Sequence, residues 1–410
     1  MIVALLSLIQ KLKIEYRIEG SRLEIYWQSY HSLNNLLKLP PLSLYIHYPW
    51  CVKKCPYCDF NSHDSEIQDG YISALLKDLD GDLKYVQQRK INSIFIGGGT
   101  PSLMSIEDIT HLFAGLKDRL EFSPNIEITL EANPGAFEVD KFSEYRNVGI
   151  NRLSIGVQSF NDEKLKFLGR IHSGKEAQEA ILKAQDVGYD NLNIDLMYGL
   201  KDQSIDECMN DVMTAISLNP SHISFYQLTL EPNTLFSKFP PILPSDEDIW
   251  RIGERGADLL NQKGFHQYEI SAYSALPSKH NMNYWEFGDY IGIGAGAHGK
   301  ITNVTSSEIV RTLKMKSPKD YLMSVNKNNQ ALSTKPVENL SFEFMLNSLR
   351  LIGGFNPELY ESRTGQSVKL LSEQMREAVS LGLLDVQDNK IKPTRKGLSF
   401  LNDLQAIFLE

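Results

Sequence analysis

The sequence predicts an α/β protein: a partial (β/α)6 barrel followed by a C-terminal α+β domain of winged-helix-like character. Two observations lead there. Between residues 42 and 228, short apolar runs alternate with helical periodicity, the rhythm of βα units and a parallel sheet. Beyond about residue 336 that rhythm stops, and helical windows flank a single hairpin pattern. Six βα units fall short of the eight that close a complete barrel.

Taken in order, residues 1–39 stand apart, because they lack the strand–turn–helix pattern of the rest. Residues 1–9 are apolar but too short to span a bilayer, and no basic start or small-residue cleavage site marks a secretory signal. They read as an extension, with a misassigned start residue as one account of it. The barrel is expected over 40–270, with strands at 42–47, 93–96, 126–130, 152–156, 192–196 and 222–228. Helical windows lie between them, among them 106–120, 175–187 and 205–218. Residues 271–335 form a connecting region, and 336–410 form the last domain. There 341–351 and 368–381 are helical, 383–387 and 390–392 flank a turn at Asp388 and Asn389, and Thr394 is placed to cap a final helix.

Composition narrows the function. The 410 residues are 42% hydrophobic, enough for a large core and a second, smaller one. The formal charge of −9, from 42 basic against 51 acidic residues, disfavours general binding to a phosphate backbone. The tail cations Lys390, Lys392, Arg395 and Lys396 therefore read as a solvated face, and no nucleic-acid partner is expected. Only four cysteines occur, which is no disulfide framework. Cys208 lies on the apolar side of a helical window and reads as an ordinary buried thiol.

The other three cysteines are the strongest chemical signal. Cys51, Cys55 and Cys58 form a CxxxCxxC run. Three thiolates fill three corners of a cubane iron–sulfur cluster, which takes four when fully coordinated, so one iron stays open to an exchangeable ligand. Zinc is the alternative, with His63 or His47 as a fourth ligand. Ligand thiols must stay reduced, which points to the cytosol.

The remaining polar motifs fall at the C-terminal ends of the expected strands, where βα barrels build their active sites. Gly97-Gly98-Gly99-Thr100-Pro101 follows the second strand, Glu131 the third and Gln158 the fourth, while Asp195 lies in the fifth. The glycines let backbone approach a ligand and offer N–H groups to a carboxylate, or else make only a tight turn. Glu131 can take an ammonium or ribose hydroxyls, or be merely solvated; Gln158 and Asp195 can equally satisfy loop backbone. Arg170 is either a carboxylate fork or a surface cation. Convergence of these groups on one rim favours a ligand site over separate structural roles.

The CxxxCxxC and GGGTP runs together resemble the radical S-adenosylmethionine superfamily. Tyr45-Ile-His-Tyr-Pro-Trp-Cys51, Glu131-Ala-Asn-Pro134, Asn151-Arg-Leu-Ser-Ile-Gly-Val-Gln-Ser-Phe160 and Asn193-Ile-Asp-Leu-Met-Tyr-Gly199 narrow the likeness. They resemble the branch that contains oxygen-independent coproporphyrinogen III dehydrogenase and the HemW-type haem chaperones. The likeness runs from about residue 40 to the C-terminus. It implies a radical-SAM barrel with a 4Fe–4S cluster on Cys51, Cys55 and Cys58, and S-adenosylmethionine chelating the open iron. It further implies that Tyr45 and Phe60 line the site and that Gly98, Gly99 and Thr100 take the methionine portion. Glu131, Gln158, Arg170 and Asp195 would then surround the cofactor.

Two features sort the branches. The dehydrogenase pattern has a further cysteine two residues after the third, where Phe60 stands here. His280-Asn281-Met-Asn-Tyr284-Trp285 resembles the HNxxYW motif of the HemW-type family. A neutral imidazole ligates haem iron, and Tyr284 and Trp285 offer flat apolar faces to a macrocycle. The alternative is that His280 satisfies a loop and the aromatics are core. Residues 288–299 are glycine-dense but lack a Rossmann strand–turn–helix, and read as close backbone packing beside the cofactor pocket. His298 is a secondary haem-ligand candidate.

The expected protein is thus a haem chaperone that binds haem and passes it to an acceptor protein. It carries a 4Fe–4S cluster with exchangeable S-adenosylmethionine, lacks an integral membrane segment, and works as a monomer or homodimer. The rival is an enzyme, a radical decarboxylase of coproporphyrinogen III. A zinc-stabilised nucleic-acid binder stands third.

Overall fold

The computed structural model describes residues 16–19, 22–25, 36–135, 139–327 and 332–409. Strands Leu42–Tyr48 (β1), Ile91–Gly98 (β2), Phe122–Ala132 (β3), Arg152–Gln158 (β4), Asn191–Tyr198 (β5) and His222–Gln227 (β6) form the barrel. Each pairs in parallel with the next. Alternate residues explain why they are strands. Leu44, Ile46, Ile94, Ile96, Leu130, Leu153, Ile155, Ile194 and Ile223 are buried in the main apolar core. The residues between them are mostly polar and face the lumen, where they bond from strand to strand: Ser43 to Ser93 at 2.7 Å, Asn193 to Ser154 at 2.7 Å, Tyr226 to Gln158 at 2.7 Å. The barrel therefore encloses a polar lumen, where closed barrels are filled by branched aliphatics.

Helices Ile106–Arg119, Gly174–Asp186 and Ile205–Ser217 lie where the periodicity placed them. Ser173 and Ser204 open two of them with capping boxes to Glu176 and Glu207, which satisfies the first-turn N–H groups. Cys208 is buried within the last, as its apolar side required.

The sheet continues beyond these six strands. Gln267–Glu269 (β7) and Ala272–Ser274 (β8) extend it antiparallel past β6. On the other side Asp289–Ile293 (β9) runs parallel to β1, followed by antiparallel His298–Asn303 (β10), Glu308–Lys314 (β11) and Leu332–Pro336 (β12). The order is β12-β11-β10-β9-β1-β2-β3-β4-β5-β6-β8-β7, an open sheet of twelve strands. Residues 271–335 thus belong largely to the barrel sheet. The glycine-dense stretch is strand β9 and its turn. Gly292 is needed there because a Cβ would lie 1.9 Å from the His298 carbonyl oxygen. This flank is pinned by a buried cation: Lys314 Nζ lies 2.6 Å from both Asp78 and Asp82 of helix Tyr71–Asp82.

The C-terminal domain has its own core, built on Phe344, Phe355, Tyr360, Leu404 and Phe408. Its hairpin, Leu384–Gln387 (β13) with Lys390–Pro393 (β14), turns through Asp388 and Asn389 at φ 50° and 58°, the left-handed pair a two-residue loop requires. Thr394 caps helix Arg395–Ser399, its hydroxyl accepting from Gly397 N–H at 3.0 Å. Of the tail cations, Lys392 pairs with Asp385 and Arg395 with Glu254. In the extension Tyr16–Glu19 pairs antiparallel with Arg22–Ile25; the start residue lies outside the described residues. Among the described residues no helix is long and apolar enough to cross a membrane.

Candidate functional site

The chain leaving β1 carries the three cysteines over the barrel rim. Backbone bonds close this loop: Cys51 N–H donates to His63 O (2.9 Å), His63 N–H to Pro49 O (2.7 Å) and Cys58 N–H to Cys55 O (3.2 Å). Lys54 Nζ ties its far side, donating to the carbonyls of Phe60 (3.1 Å) and Ser62 (3.0 Å). All three thiols are free and half-buried, and all line one cleft of about 480 Å³. Burial pushes the Cys51 and Cys58 thiols up. Three soft sulfur donors on one short loop suit an iron–sulfur cluster with one open iron. His47, one of the histidines weighed as a zinc ligand, has both ring nitrogens engaged, with Tyr45 Oη (2.9 Å) and Asn61 O (2.8 Å). Among the described residues no three His, Cys, Asp or Glu side chains are grouped to hold a single metal ion; the thiols border the cleft instead.

The strand ends bring the other rim residues to the same cleft. Phe60, Gly98, Gly99, Thr100, Glu131, Gln158, Arg170 and Asp195 all line it. Tyr45 does not. It stands one layer deeper, its hydroxyl on His47 and its ring stacked 6.3 Å from Phe95.

The glycine run differs from expectation in one respect. Its N–H groups are not free for a ligand carboxylate. Gly98 N–H donates to Glu131 Oε2 (3.1 Å), Gly99 N–H to Tyr48 O (2.7 Å) and Thr100 N–H to Trp50 O (2.7 Å), because the end of β2 keeps bonding to the chain leaving β1. Close approach is what demands glycine. Gly98 has φ +117°, and a Cβ there would lie 2.5 Å from the His47 ring.

Burial, then the charge of Asp195, raises the Glu131 carboxyl to about 7. Asp195 is also pushed up by burial, while Asn193 Nδ2 (2.8 Å) and Ser154 Oγ (3.3 Å) donate to it. Gln158 sits at φ +70°, a strained conformation for a non-glycine residue. Two contacts hold it: Tyr226 donates to its Oε1 (2.7 Å), and Asp211 anchors the next two residues by accepting from Ser159 Oγ (2.6 Å) and Phe160 N–H (2.8 Å). Arg170 is neither a free fork nor a surface cation. Its Nη2 donates to Asn133 Oδ1 (2.6 Å) and Gly156 O (2.5 Å), and its Nη1 lies 3.9 Å from Cys55 Sγ. It braces the cysteine loop against β4.

Sequence reasoning passed over Asn133, Ser154, Met197, Ser224 and Tyr226, which also line the cleft. The available signal was parity: Met197 follows Asp195 by two, and Ser224 and Tyr226 alternate with His222 along β6.

The HNxxYW residues lie at the opposite, N-terminal end of the lumen, on helix Lys279–Trp285, which forms a floor under the barrel. Glu127 of β3 holds its first turn, accepting from Ser278 Oγ (2.9 Å), Lys279 N–H (3.1 Å) and His280 N–H (3.1 Å). The His280 ring is buried, with Nδ1 2.9 Å from Ser93 Oγ and with Phe95 and Tyr284 rings at 5.1 and 4.8 Å. Its Nε2 is buried without a partner. Burial, then Arg152, pushes this imidazole down to about 3, so it is neutral. Tyr284 packs edge-on against Tyr290, and Trp285 turns to the C-terminal domain, where the Arg350 guanidinium lies 4.5 Å over its ring. His298 is exposed at the start of β10.

Residues 45–212 match the radical SAM superfamily and residues 336–400 match the HemN C-terminal domain. The structure of coproporphyrinogen III oxidase (HemN) from Escherichia coli shares the fold, with a TM-score of 0.77 over 98% of both chains at 23% identity. Fold and rim together define a radical SAM protein. Heme chaperone HemW of Escherichia coli K12 is 47% identical over 382 residues, covering 91% of this chain and 100% of the relative. Heme chaperone HemW of Haemophilus influenzae is 48% identical over 383 residues, covering 91% and 99%. That of Bacillus subtilis is 33% identical over 380 residues, covering 90% and 99%. The chain belongs to the HemW heme chaperone family.

Proposed function

We propose that this protein is a haem chaperone that binds haem and transfers it to an acceptor protein, and that it carries a 4Fe–4S cluster with exchangeable S-adenosylmethionine. The observation that carries the cofactor half is the single cleft shared by Cys51, Cys55, Cys58 and the rim residues of the strand ends. Cys51, Cys55 and Cys58 would hold the cluster. Bound there, the cluster and S-adenosylmethionine supply one-electron chemistry at an iron that lacks a protein ligand. Glu131 and Asp195 offer negative charge to the cationic end of S-adenosylmethionine, Gln158 a side-chain amide, and Thr100 a hydroxyl beside the loop. Phe60, exposed at the cleft mouth where the dehydrogenase pattern has a thiol, favours carrying over decarboxylation. Reduced thiol ligands fit a cytoplasmic setting.

The haem half rests on the floor helix and on what the family's relatives are named for. Neutral His280, with Nδ1 on Ser93 and Nε2 without a partner, is in the form that ligates iron. The ring is enclosed, so haem reaches it only when the helix leaves the lumen; Tyr284 and Trp285 supply the apolar faces that then meet the macrocycle.

Anaerobic reconstitution tests both halves. About four irons per chain are expected, lost on Cys→Ala at 51, 55 or 58 and kept in Cys208→Ala. Haem titration should shift the Soret band, with no conversion of coproporphyrinogen III. Vinyl products without a Soret shift would overturn the chaperone reading, and zinc uptake without iron would overturn the cluster.

A further inference from the structure

A hydrogen-bond chain crosses the lumen from the cofactor rim to the floor helix. Asn193 Nδ2 donates to Asp195 Oδ1 (2.8 Å) at the rim. Asn193 Oδ1 meets His222 Nδ1 at 2.6 Å, and His222 Nε2 meets Tyr268 Oη at 2.9 Å. Asn281 Nδ2, on the floor helix, donates to Tyr268 Oη at 3.2 Å. Asn193 and His222 are 2% and 1% exposed, so neither can exchange these partners for water.

With Asp195 ionised, the donor at every link is forced. An ionised Asp195 only accepts, so the Asn193 amide must present its N–H₂ to the rim and its oxygen to the floor. That oxygen accepts from His222, so the proton sits on Nδ1 and Nε2 is an acceptor. Nε2 must take the Tyr268 hydroxyl proton, which leaves the Tyr268 oxygen free to accept from Asn281. Ser224 Oγ, 3.1 Å from Asn193 Oδ1, and Ser154 Oγ, 2.7 Å from Asn193 Nδ2, fit the same polarity. Turning the Asn193 amide over reverses every link, and requires Asp195 to donate and Asn281 to present its oxygen. The chain therefore has two states, and the choice between them is made at Asp195.

We propose that Asn193, His222 and Tyr268 are positioning residues that couple the cofactor rim to the floor helix, so that S-adenosylmethionine over Asp195 fixes how Asn281 is held. The inference rests on the cofactor assignment above. A cationic ligand at the rim keeps Asp195 a carboxylate and locks the observed polarity, in which Tyr268 accepts from Asn281. Buried polar residues that merely satisfy one another would show no such dependence on the distant ligand. The chain also gives the asparagine of the HNxxYW motif a task separate from haem contact.

The test uses the full-length, cluster-reconstituted protein and reads amide hydrogen exchange in residues 279–286 with and without S-adenosylmethionine. In the natural protein the cofactor should slow exchange there by about fivefold or more, the low end of typical coupling. In Tyr268→Phe, which removes the one hydroxyl that joins the two halves, the cofactor should still bind by equilibrium dialysis but leave exchange unchanged. Tyr273→Phe, a buried tyrosine on the neighbouring strand and off the chain, should respond like the natural protein. A full response in Tyr268→Phe, or none in the natural protein with cofactor bound, overturns the proposal. Haem titration of the same samples reports on the chaperone reading alone: an absent Soret shift would remove the haem site while the exchange data still decide the chain.

Discussion

Replacing Glu127 with Gln should loosen the floor helix and, by doing so, tighten haem binding. Glu127 is 5% exposed and accepts three hydrogen bonds from Ser278, Lys279 and His280. In Glu127→Gln the side chain would keep its shape and one oxygen, enough for Ser278 and His280. The new amide nitrogen would face the Lys279 N–H, donor against donor, so one charge-assisted bond worth about 1.5–3 kcal/mol is lost. The helix N-terminus also loses an anion, about 0.3–1 kcal/mol. A net change near ~2 kcal/mol raises the population of the undocked helix ~30-fold. Amide exchange in 279–285 should speed up by about that factor. Haem affinity should rise by up to the same factor, because the docked helix hides His280 and the apparent affinity scales with the competent fraction. Faster exchange with unchanged or weaker haem binding would refute the idea that ligation waits on helix release. Unchanged exchange would refute the role of Glu127 as the clasp.

Three further outcomes follow from the same geometry. Gly98→Ala should destabilise more than Gly149→Ala, although their φ angles are +117° and +119°, since only at Gly98 would the Cβ strike another side chain; equal shifts in Tm would show that backbone strain of about 1–2 kcal/mol is the whole effect. S-adenosylmethionine affinity should fall about tenfold per unit as pH drops below 7, because Glu131, raised by burial to about 7, must lose its proton to accept from the ligand. Above that pH the affinity should level off, and Glu131→Gln should flatten the profile; a flat natural profile from about pH 6 to 8 would remove Glu131 from the contact. Lys314→Met should destabilise by about 3–5 kcal/mol, since Asp78 and Asp82 would be left buried without their cation; a melting temperature within a degree of the natural protein would contradict this.

Much of the barrel was legible because its strands obey a simple alternation. Leu44, Ile46, Ile94 and Ile96 mark the outer face, and that period places Glu131, Gln158 and Asp195 on the inner one. Strand β9 was less legible. Gly292 and Gly294 read as close backbone packing, which they make against the His298 and His47 carbonyls, but nothing in them marked a strand. The bracing contacts of Arg170 were illegible for a different reason: a lone arginine after a glycine gives no hint that Asn133 and Gly156, distant in sequence, will hold its guanidinium. The rim residues Ser154, Ser224 and Tyr226 carried only a parity signal, which polar residues on any half-exposed strand share.

The sequence by itself determined the class of this protein. Three soft donors in CxxxCxxC and polar groups at successive strand ends mark the rim proposed to hold the cofactor, because ligand chemistry is local to residue type and strand parity is local to the chain. What only the tertiary structure decided is how the two ends of the barrel relate. The HNxxYW helix lies under the lumen, with His280 enclosed and Asn281 joined to the rim through Tyr268, His222 and Asn193. Those partners come from three different strands and a helix, and their union depends on inward-facing polar side chains meeting across a space that no local pattern encodes. Burial of Asn193 and His222 then ties the bonds to one another, since a desolvated donor or acceptor has only its neighbours to choose from.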